Sequence, residues 1–203
     1  MPSPAHVRIE RLVPERGDDY LRFFDHEHGP AFADNPEWRT CYCHYYEVPL
    51  ALDWRTFDGP MNRTAMAARI ATGEMEGYLA YDGDEVVGWM NAQPYHKLMH
   101  ACARLRIAQP GMPVPAHDAA AIVCFVIHPQ RRREGIATAL LAAGVADFAA
   151  RGLALVDAFP WNSGPGDTKP TDHYHGSLSM FTAAGFVPLA THENVTVVRR
   201  MLR

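Results

Sequence analysis

Residues 126–141 read VIHPQRRREGIATALL, and this stretch decides the fold. It joins an apolar run at 120–127, AAIVCFVI, to a segment at 136–151 whose apolar residues recur at helical spacing. A run that is apolar at every position predicts a strand buried on both faces. Small residues at the helix start leave backbone N–H groups open to an anion, which the helix dipole also favours. Taken alone, the junction fits either an anion site or a solvated basic loop.

The segments on either side of this junction predict one α/β domain over residues 1–203, with strands of mixed direction. Strands are predicted at 7–12, 77–81, 85–90, 153–161, 186–190 and 195–201. Further helices are predicted at 14–27, 59–73 and 176–184, with a helical middle at 97–105. Three long connections remain, at 28–57, 94–118 and 162–172.

Composition limits the partners. The 19 Lys and Arg and 23 Asp and Glu give a net charge of −4, which argues against nucleic acid or an anionic membrane. The sequence has no apolar run of membrane-spanning length, and no signal peptide is expected from its first residues. Its four cysteines do not form a disulfide framework, so we expect reduced thiols in the cytoplasm.

Two motifs together carry a family resemblance. Arg132-x-x-Gly135-x-Ala137 follows a Val-Ile-His-Pro strand end, and Leu178 to Phe186, LSMFTAAGF, lies one helix and one strand later. The pair resembles the acetyl-CoA motif and the closing helix of the GNAT superfamily of N-acetyltransferases. More narrowly, the chain resembles a bacterial subgroup with a Cys-x-Cys-aromatic segment and an Asn62-Arg63 pair opening the second helix.

The resemblance implies the GNAT fold, a mixed and mostly antiparallel sheet of six or seven strands flanked by about four helices. It also implies direct transfer of an acetyl group from acetyl-CoA to a primary amine, for which we expect a small molecule. Acetyl-CoA is then expected to contact one strand edge, the following loop and the closing helix. The implied residues are Phe125, Val126, Ile127, Arg132, Arg133, Glu134, Gly135, Ile136, Ala137, Thr138 and Phe181.

Catalysis departs from the family at Phe181, where the resemblance implies a tyrosine acid. The thiolate then leaves unprotonated, or a neighbour such as Tyr174, His175, Ser177 or Ser179 replaces the acid. The remaining alternative is a non-catalytic module that binds acyl-CoA. The backbone of Phe125 to Ile127 is the implied oxyanion donor. Candidate bases are His128, His173, His175 and the acidic or histidine residues of 25–47.

The stretch TCYCHYY at 40–46 is the most unusual in the chain. Cys-x-Cys spacing in an extended chain points two thiols to opposite faces, so we expect neither a metal site nor a redox pair. Two interpretations stay open: an aromatic wall for the acceptor, or a satellite core under a long loop. Our candidate acceptor contacts are Trp38, Tyr42, Tyr45, Tyr46, Trp89 and Tyr95. The 94–118 connection adds His96, His100 and Arg104, or forms a homodimer contact instead.

Overall fold

The computed structural model describes residues 6–25, 27–98, 100–105, 117–161, 174–192 and 195–203, and they form one mixed sheet. Its strands are β1 (Arg8–Arg11), β2 (Tyr78–Asp82), β3 (Glu85–Pro94), β4 (Ala119–Ile127), β5 (Leu155–Ala158), β6 (Val187–His192) and β7 (Val195–Met201). They lie in the order β1-β2-β3-β4-β5-β7-β6, and β4 with β5 is the one parallel pair. The predicted mixed, mostly antiparallel sheet is confirmed.

Five α-helices flank the sheet in the described residues. They are α1 (Gly17–Phe24), α2 (Gly59–Ala71), α3 (Ala101–Arg104), α4 (Ile136–Ala150) and α5 (Leu178–Ala183). Local sequence explains the start of α2, because the Asp58 carboxylate accepts the Met61 N–H at 2.8 Å and Pro60 needs no partner. The predicted first helix was too long, since Pro14–Arg16 forms a 3-10 turn before α1 begins.

The sheet is covered on both faces. α1 and α2 pack on one face against Trp89 and Val126, and α4 and α5 pack on the other against Met90 and Phe125. The two layers of side chains leave β4 buried from Ala119 to Val126, as its apolar run predicted. No helix among the residues described here has the length and apolar character needed to cross a membrane.

A bulge and an opening set the geometry of β4. Asn91 faces Cys124 and Ala92 faces Ile122, so Val123 is an extra residue in the ladder. Both Val123 and Cys124 therefore lie on the α1/α2 face. β5 pairs with β4 only from Ala119 to Ile122, so the rest of β4 parts from it. The two strands therefore leave an opening between them beyond Ile122.

Candidate active site

The loop between β4 and α4 presents open backbone amides. Gly135 precedes α4 with φ +84°, a left-handed conformation that glycine adopts without steric cost. The first main-chain hydrogen bond of the helix runs from the Ala139 N–H to the Gly135 carbonyl, at 2.9 Å. The N–H groups of Ile136, Ala137 and Thr138 precede this bond, and no side chain of the described residues caps that end. This terminus can therefore bind an anion.

The arginines of the loop are partly engaged in ion pairs. Arg132 donates two bonds, of 2.5 and 2.9 Å, to the carboxylate of Asp34 in the segment between α1 and α2. These hydrogen bonds lower the pKa of Asp34. Arg131 bonds Asp82 and Glu134, so the predicted contact residue Glu134 offers a ligand its backbone rather than its carboxylate. Arg132, which lies beside the open amides, therefore already has the exposed Asp34 carboxylate as a partner.

The edge of β4 beyond its pairing with β5 is only partly open. The Phe125 N–H donates to the Tyr174 carbonyl at 2.5 Å, and His175 Nδ1 lies 2.9 Å from the Val123 carbonyl. The Phe125 amide is therefore not free to act as the implied oxyanion donor, because the chain entering α5 bonds this edge. Amides alternate in direction along a strand, so the Ile127 N–H points the same way as that of Phe125 and extends the edge.

His175 is a buried, neutral imidazole. Burial lowers its pKa to about 4. With Nδ1–H donating to Val123, Nε2 is the acceptor nitrogen, and the Tyr46 hydroxyl lies 3.4 Å from it. Trp161 stacks on the ring, with centroids 5.7 Å apart and planes 12° apart. The bond to the Val123 carbonyl therefore orients a nitrogen that can accept a proton.

A cavity of about 400 Å³ lies next to His175 and is mainly aromatic. Its rings belong to Trp38, Tyr45, Tyr46, Trp161 and Tyr174, and Arg104 and His192 supply its other polar groups besides His175. Sequence reasoning singled out Trp38, Tyr45, Tyr46 and Arg104 but missed Trp161 and His192. Trp161 ends the predicted strand 153–161, so its position beside the β4–β5 opening was the available signal.

Three predicted acceptor contacts lie elsewhere, and these assignments were wrong. Tyr42 is fully buried in the core beneath α1. Trp89 is also fully buried, and its Nε1–H points at the Cys43 sulfur, 3.3 Å away. The Tyr95 hydroxyl donates to Asp157 at 2.8 Å, away from the cavity. Each side chain is committed to packing or to a buried bond, which local sequence could not reveal.

The closing helix also corrects the predicted site. Ser177 is exposed and caps α5, where its hydroxyl accepts the Met180 N–H at 3.2 Å, so it does not reach the cavity. Phe181 is fully buried, 6.1 Å from the Phe125 ring, and has no surface for a ligand.

Val126 faces the α1/α2 core, and its amide points towards β3 by the alternation described above.

Of the other candidate histidine bases, His128 does not lie in this cavity. It accepts the Gln130 N–H at 3.2 Å and lines a different cavity. His173 lies outside the described residues. That second cavity, of about 580 Å³, lies between α1, the start of β3 and the end of β4. Its lining includes the carboxylates Asp19, Asp84 and Glu85. These carboxylates distinguish it from the aromatic cavity, whose described lining has none.

The cysteines of TCYCHYY belong to the core. Tyr42 and Cys43 have φ of 48° and 53°, so the chain turns here, and the extended geometry that we assumed was wrong. Hydrogen bonding to Cys43 and burial raise the pKa of the Cys124 thiol, and burial raises the pKa of Cys41 to about 12. No group of three or more His, Cys, Asp or Glu among the described residues could hold a metal ion.

Comparison with known proteins identifies the family. A sequence model described as the acetyltransferase (GNAT) family matches residues 20–164. No curated protein matches significantly.

Solved structures share the fold at low identity. An acetyltransferase of the GNAT family from Streptococcus pneumoniae is 10% identical over 97% of this chain and 99% of its own, with TM-score 0.52. PaiA N-acetyltransferase from Thermoplasma acidophilum, in complex with coenzyme A, is 9% identical over 96% and 98%, with TM-score 0.54. YncA from Salmonella typhimurium, with its cofactor acetyl-CoA, is 12% identical over 97% and 94%, with TM-score 0.53. The chain therefore belongs to the acetyltransferase (GNAT) family, a class of acetyl-CoA-dependent N-acyltransferases.

Proposed function

We propose that this enzyme transfers the acetyl group of acetyl-CoA directly to a primary amine of a small molecule. One observation carries the proposal: the open amides at the start of α4 and the parted end of β4 adjoin, and His175 lies on that edge. The aromatic cavity beside His175 gives the amine a place to bind. Donor and acceptor would then meet at the β4 edge.

The donor is held mainly by backbone groups in this proposal. Its pyrophosphate meets the amides of Ile136, Ala137 and Thr138, where small side chains allow close approach, and Arg132 adds charge. The pantetheine arm follows the β4 edge towards Ile127. The solved relatives PaiA, with coenzyme A, and YncA, with acetyl-CoA, support this choice of donor.

Transfer then needs one proton acceptor and one oxyanion donor. The neutral amine attacks the thioester carbonyl, and the proton it loses passes to Nε2 of His175, directly or through a water molecule. The Ile127 N–H stabilises the developing oxyanion. The intermediate collapses by breaking the carbon–sulfur bond, which releases CoA as a thiolate. Phe181 carries no proton to donate, but a thiol of pKa about 8.5 leaves without one.

Release of CoA tests the proposal. Purified protein is mixed with acetyl-CoA and a panel of primary amines, including polyamines, aminoglycosides, amino acids and arylalkylamines, and free thiol is measured. We expect at least one small amine to stimulate CoA release well above hydrolysis, with the acetylated amine as product. If no amine does so while acetyl-CoA binds, the enzyme proposal fails and a non-catalytic acyl-CoA-binding module is favoured.

Several expectations from the sequence extend the proposal. We propose that the protein is cytoplasmic and bacterial and that residues 1–203 form one domain. We also propose that it belongs to the Cys-x-Cys-aromatic subgroup. We expect no nucleic acid or membrane partner, and a homodimer through 94–118 stays an alternative. Residues 99 and 106–116 of that connection lie outside the described residues. Size-exclusion chromatography with light scattering measures the oligomeric state directly.

A further inference from the structure

The aromatic cavity carries a charge that suggests which amines enter it. Arg104 is the only Lys, Arg, Asp or Glu side chain among the described residues that line the cavity. Its guanidinium carbon lies 5.2 Å from the centre of the Tyr45 ring, so the cation borders the aromatic wall. The described lining thus has a permanent positive charge and no carboxylate to balance it.

The described hydrogen bonds of Arg104 go to neutral carbonyls, and Asp53 interacts with its charge without forming an ion pair. Nη2 donates to the carbonyls of Val48 and Pro49, at 3.0 and 3.2 Å, which fixes the position of the guanidinium. Nε is buried without a hydrogen-bond partner, and no described carboxylate forms an ion pair with the group. A buried donor without an acceptor costs free energy, and guanidinium matches a carboxylate with two parallel bonds. The cation is therefore held in place for an anionic group that the described chain does not supply.

The other walls match a flat, apolar group. Trp38 and Tyr174 pack with ring centroids 5.2 Å apart, and Trp161 lies flat against His175. A cavity of about 400 Å³ is at the lower end of the range for small-molecule sites, so it suits one compact molecule. Aromatic walls favour a ring, which stacks or meets them edge to face. A polyamine finds no carboxylate among the described residues of this lining, and Arg104 repels it.

We propose that the acceptor is an amine that carries both an aromatic ring and a carboxylate, with the ring in the aromatic cavity and the carboxylate on Arg104. Its amine then lies on the side of the cavity that His175 closes. This inference rests on the proposed acetyl transfer and narrows its acceptor to compounds of the aromatic amino acid type. Aminoglycosides and polyamines fit the described lining poorly, because each adds cations beside Arg104 and none supplies an anion.

Matched acceptors test the carboxylate. Phenylalanine is compared with phenethylamine, and tryptophan with tryptamine, by kcat/KM for CoA release. In the unmodified enzyme we expect each amino acid to exceed its decarboxylated partner about ten- to hundredfold, the range of a charge-assisted hydrogen-bonded pair. Arg104→Gln should reduce the ratio to about one, and Arg104→Lys should keep part of it. The control Arg63→Gln removes an exposed arginine of α2 and should leave the ratio unchanged.

A binding measurement separates this inference from the proposed function. 3-Phenylpropionate has a ring and a carboxylate but no amine, and its binding is followed by quenching of tryptophan fluorescence, since Trp38 and Trp161 line the cavity. We expect Arg104→Gln to raise its Kd about tenfold or more. If this holds while no amine is acetylated, the transfer proposal fails and the ligand class stands.

Other outcomes overturn the inference alone. Acetylation of phenethylamine or spermidine as efficiently as phenylalanine would overturn it and leave the transferase intact. So would 3-phenylpropionate binding that is absent, or unchanged in Arg104→Gln. Thermal unfolding identifies an Arg104→Gln protein that has lost its fold through the Val48 and Pro49 contacts. In that case the ratio of kcat/KM values is compared between Arg104→Lys and Arg63→Gln. Arg104→Lys should have the lower ratio, because lysine keeps the charge but cannot form the bidentate pair; equal ratios would overturn the inference.

Discussion

The loop at 129–138, which we propose binds the donor, and the aromatic cavity are built in opposite ways. The loop is one contiguous stretch, and the groups it offers are backbone amides fixed by a helix that starts at Ile136. The cavity collects side chains from distant segments, from Trp38 to Val195. A surface made of backbone groups is therefore encoded in one local stretch of sequence, whereas a surface made of side chains from several segments depends on the whole fold.

The largest expected effect tests the local half of this comparison. Gly135→Glu adds a Cβ at φ +84° and a carboxylate beside the open amides, so acetyl-CoA should lose affinity by more than about hundredfold. Isothermal titration measures the Kd. The matched control is Gly152→Glu, at the other end of α4, with φ +79° and no atom within 4 Å of an added Cβ. Equal Kd values in the two folded variants would refute the placement of the donor.

The next effect tests the buried imidazole at the boundary of the two sites. Above its ordinary pKa of 6.5, His175 is neutral both folded and unfolded, and the folded state keeps its full advantage. As pH falls from 6.5 to about 4, only the unfolded chain binds the proton, so the free energy of unfolding decreases by about 3 kcal/mol. Urea unfolding at several pH values measures this.

The matched variant for this effect is His175→Gln, which has no titrating ring. We expect the unmodified protein to lose more stability than the variant between pH 6.5 and 4, while other groups affect both proteins alike. Parallel stability curves would show that His175 is not held neutral by burial.

A smaller effect should separate the two sites directly. Trp161→Ala removes the ring stacked on His175, and we expect the KM of the acceptor to rise up to about tenfold, the range of an aromatic pair. The Kd of acetyl-CoA should not change. Met61→Ala is the control, because Met61 is an exposed apolar side chain of α2 that does not line the cavity. A higher Kd for acetyl-CoA together with an unchanged KM for the acceptor would reverse the assignment of the two sites.

The smallest effect concerns the contact that joins the two regions. Asp34→Asn releases Arg132 from its exposed ion pair, whose value is up to about 1 kcal/mol, so acetyl-CoA should bind up to about fivefold more tightly at low salt. Asp53→Asn, which breaks the exposed pair with Arg55, serves as the control. Weaker binding in Asp34→Asn would mean that Asp34 orients Arg132 for the phosphate instead of competing with it.

Individual residues show why local sequence describes the loop but misplaced parts of the cavity. Gly135 was identified because its need for a left-handed φ and a small side chain is a local property. Tyr42 and Trp89 were wrongly assigned to the acceptor site, because an aromatic residue looks the same in sequence whether it lines a cavity or fills a core. Trp161 was missed, since it reaches His175 only after β5 parts from β4.

The sequence by itself determined the order of the strands and helices, the buried character of β4 and the glycine that opens α4. Periodicity, capping and glycine conformation act over a few residues, so a local pattern is enough. Only the tertiary structure decided that Tyr174 covers the Phe125 amide, that the bulge at Val123 turns Cys124 into the core, and that Arg104 borders the aromatic rings. These are contacts between segments distant in sequence, and packing of the whole sheet and its helices determines them.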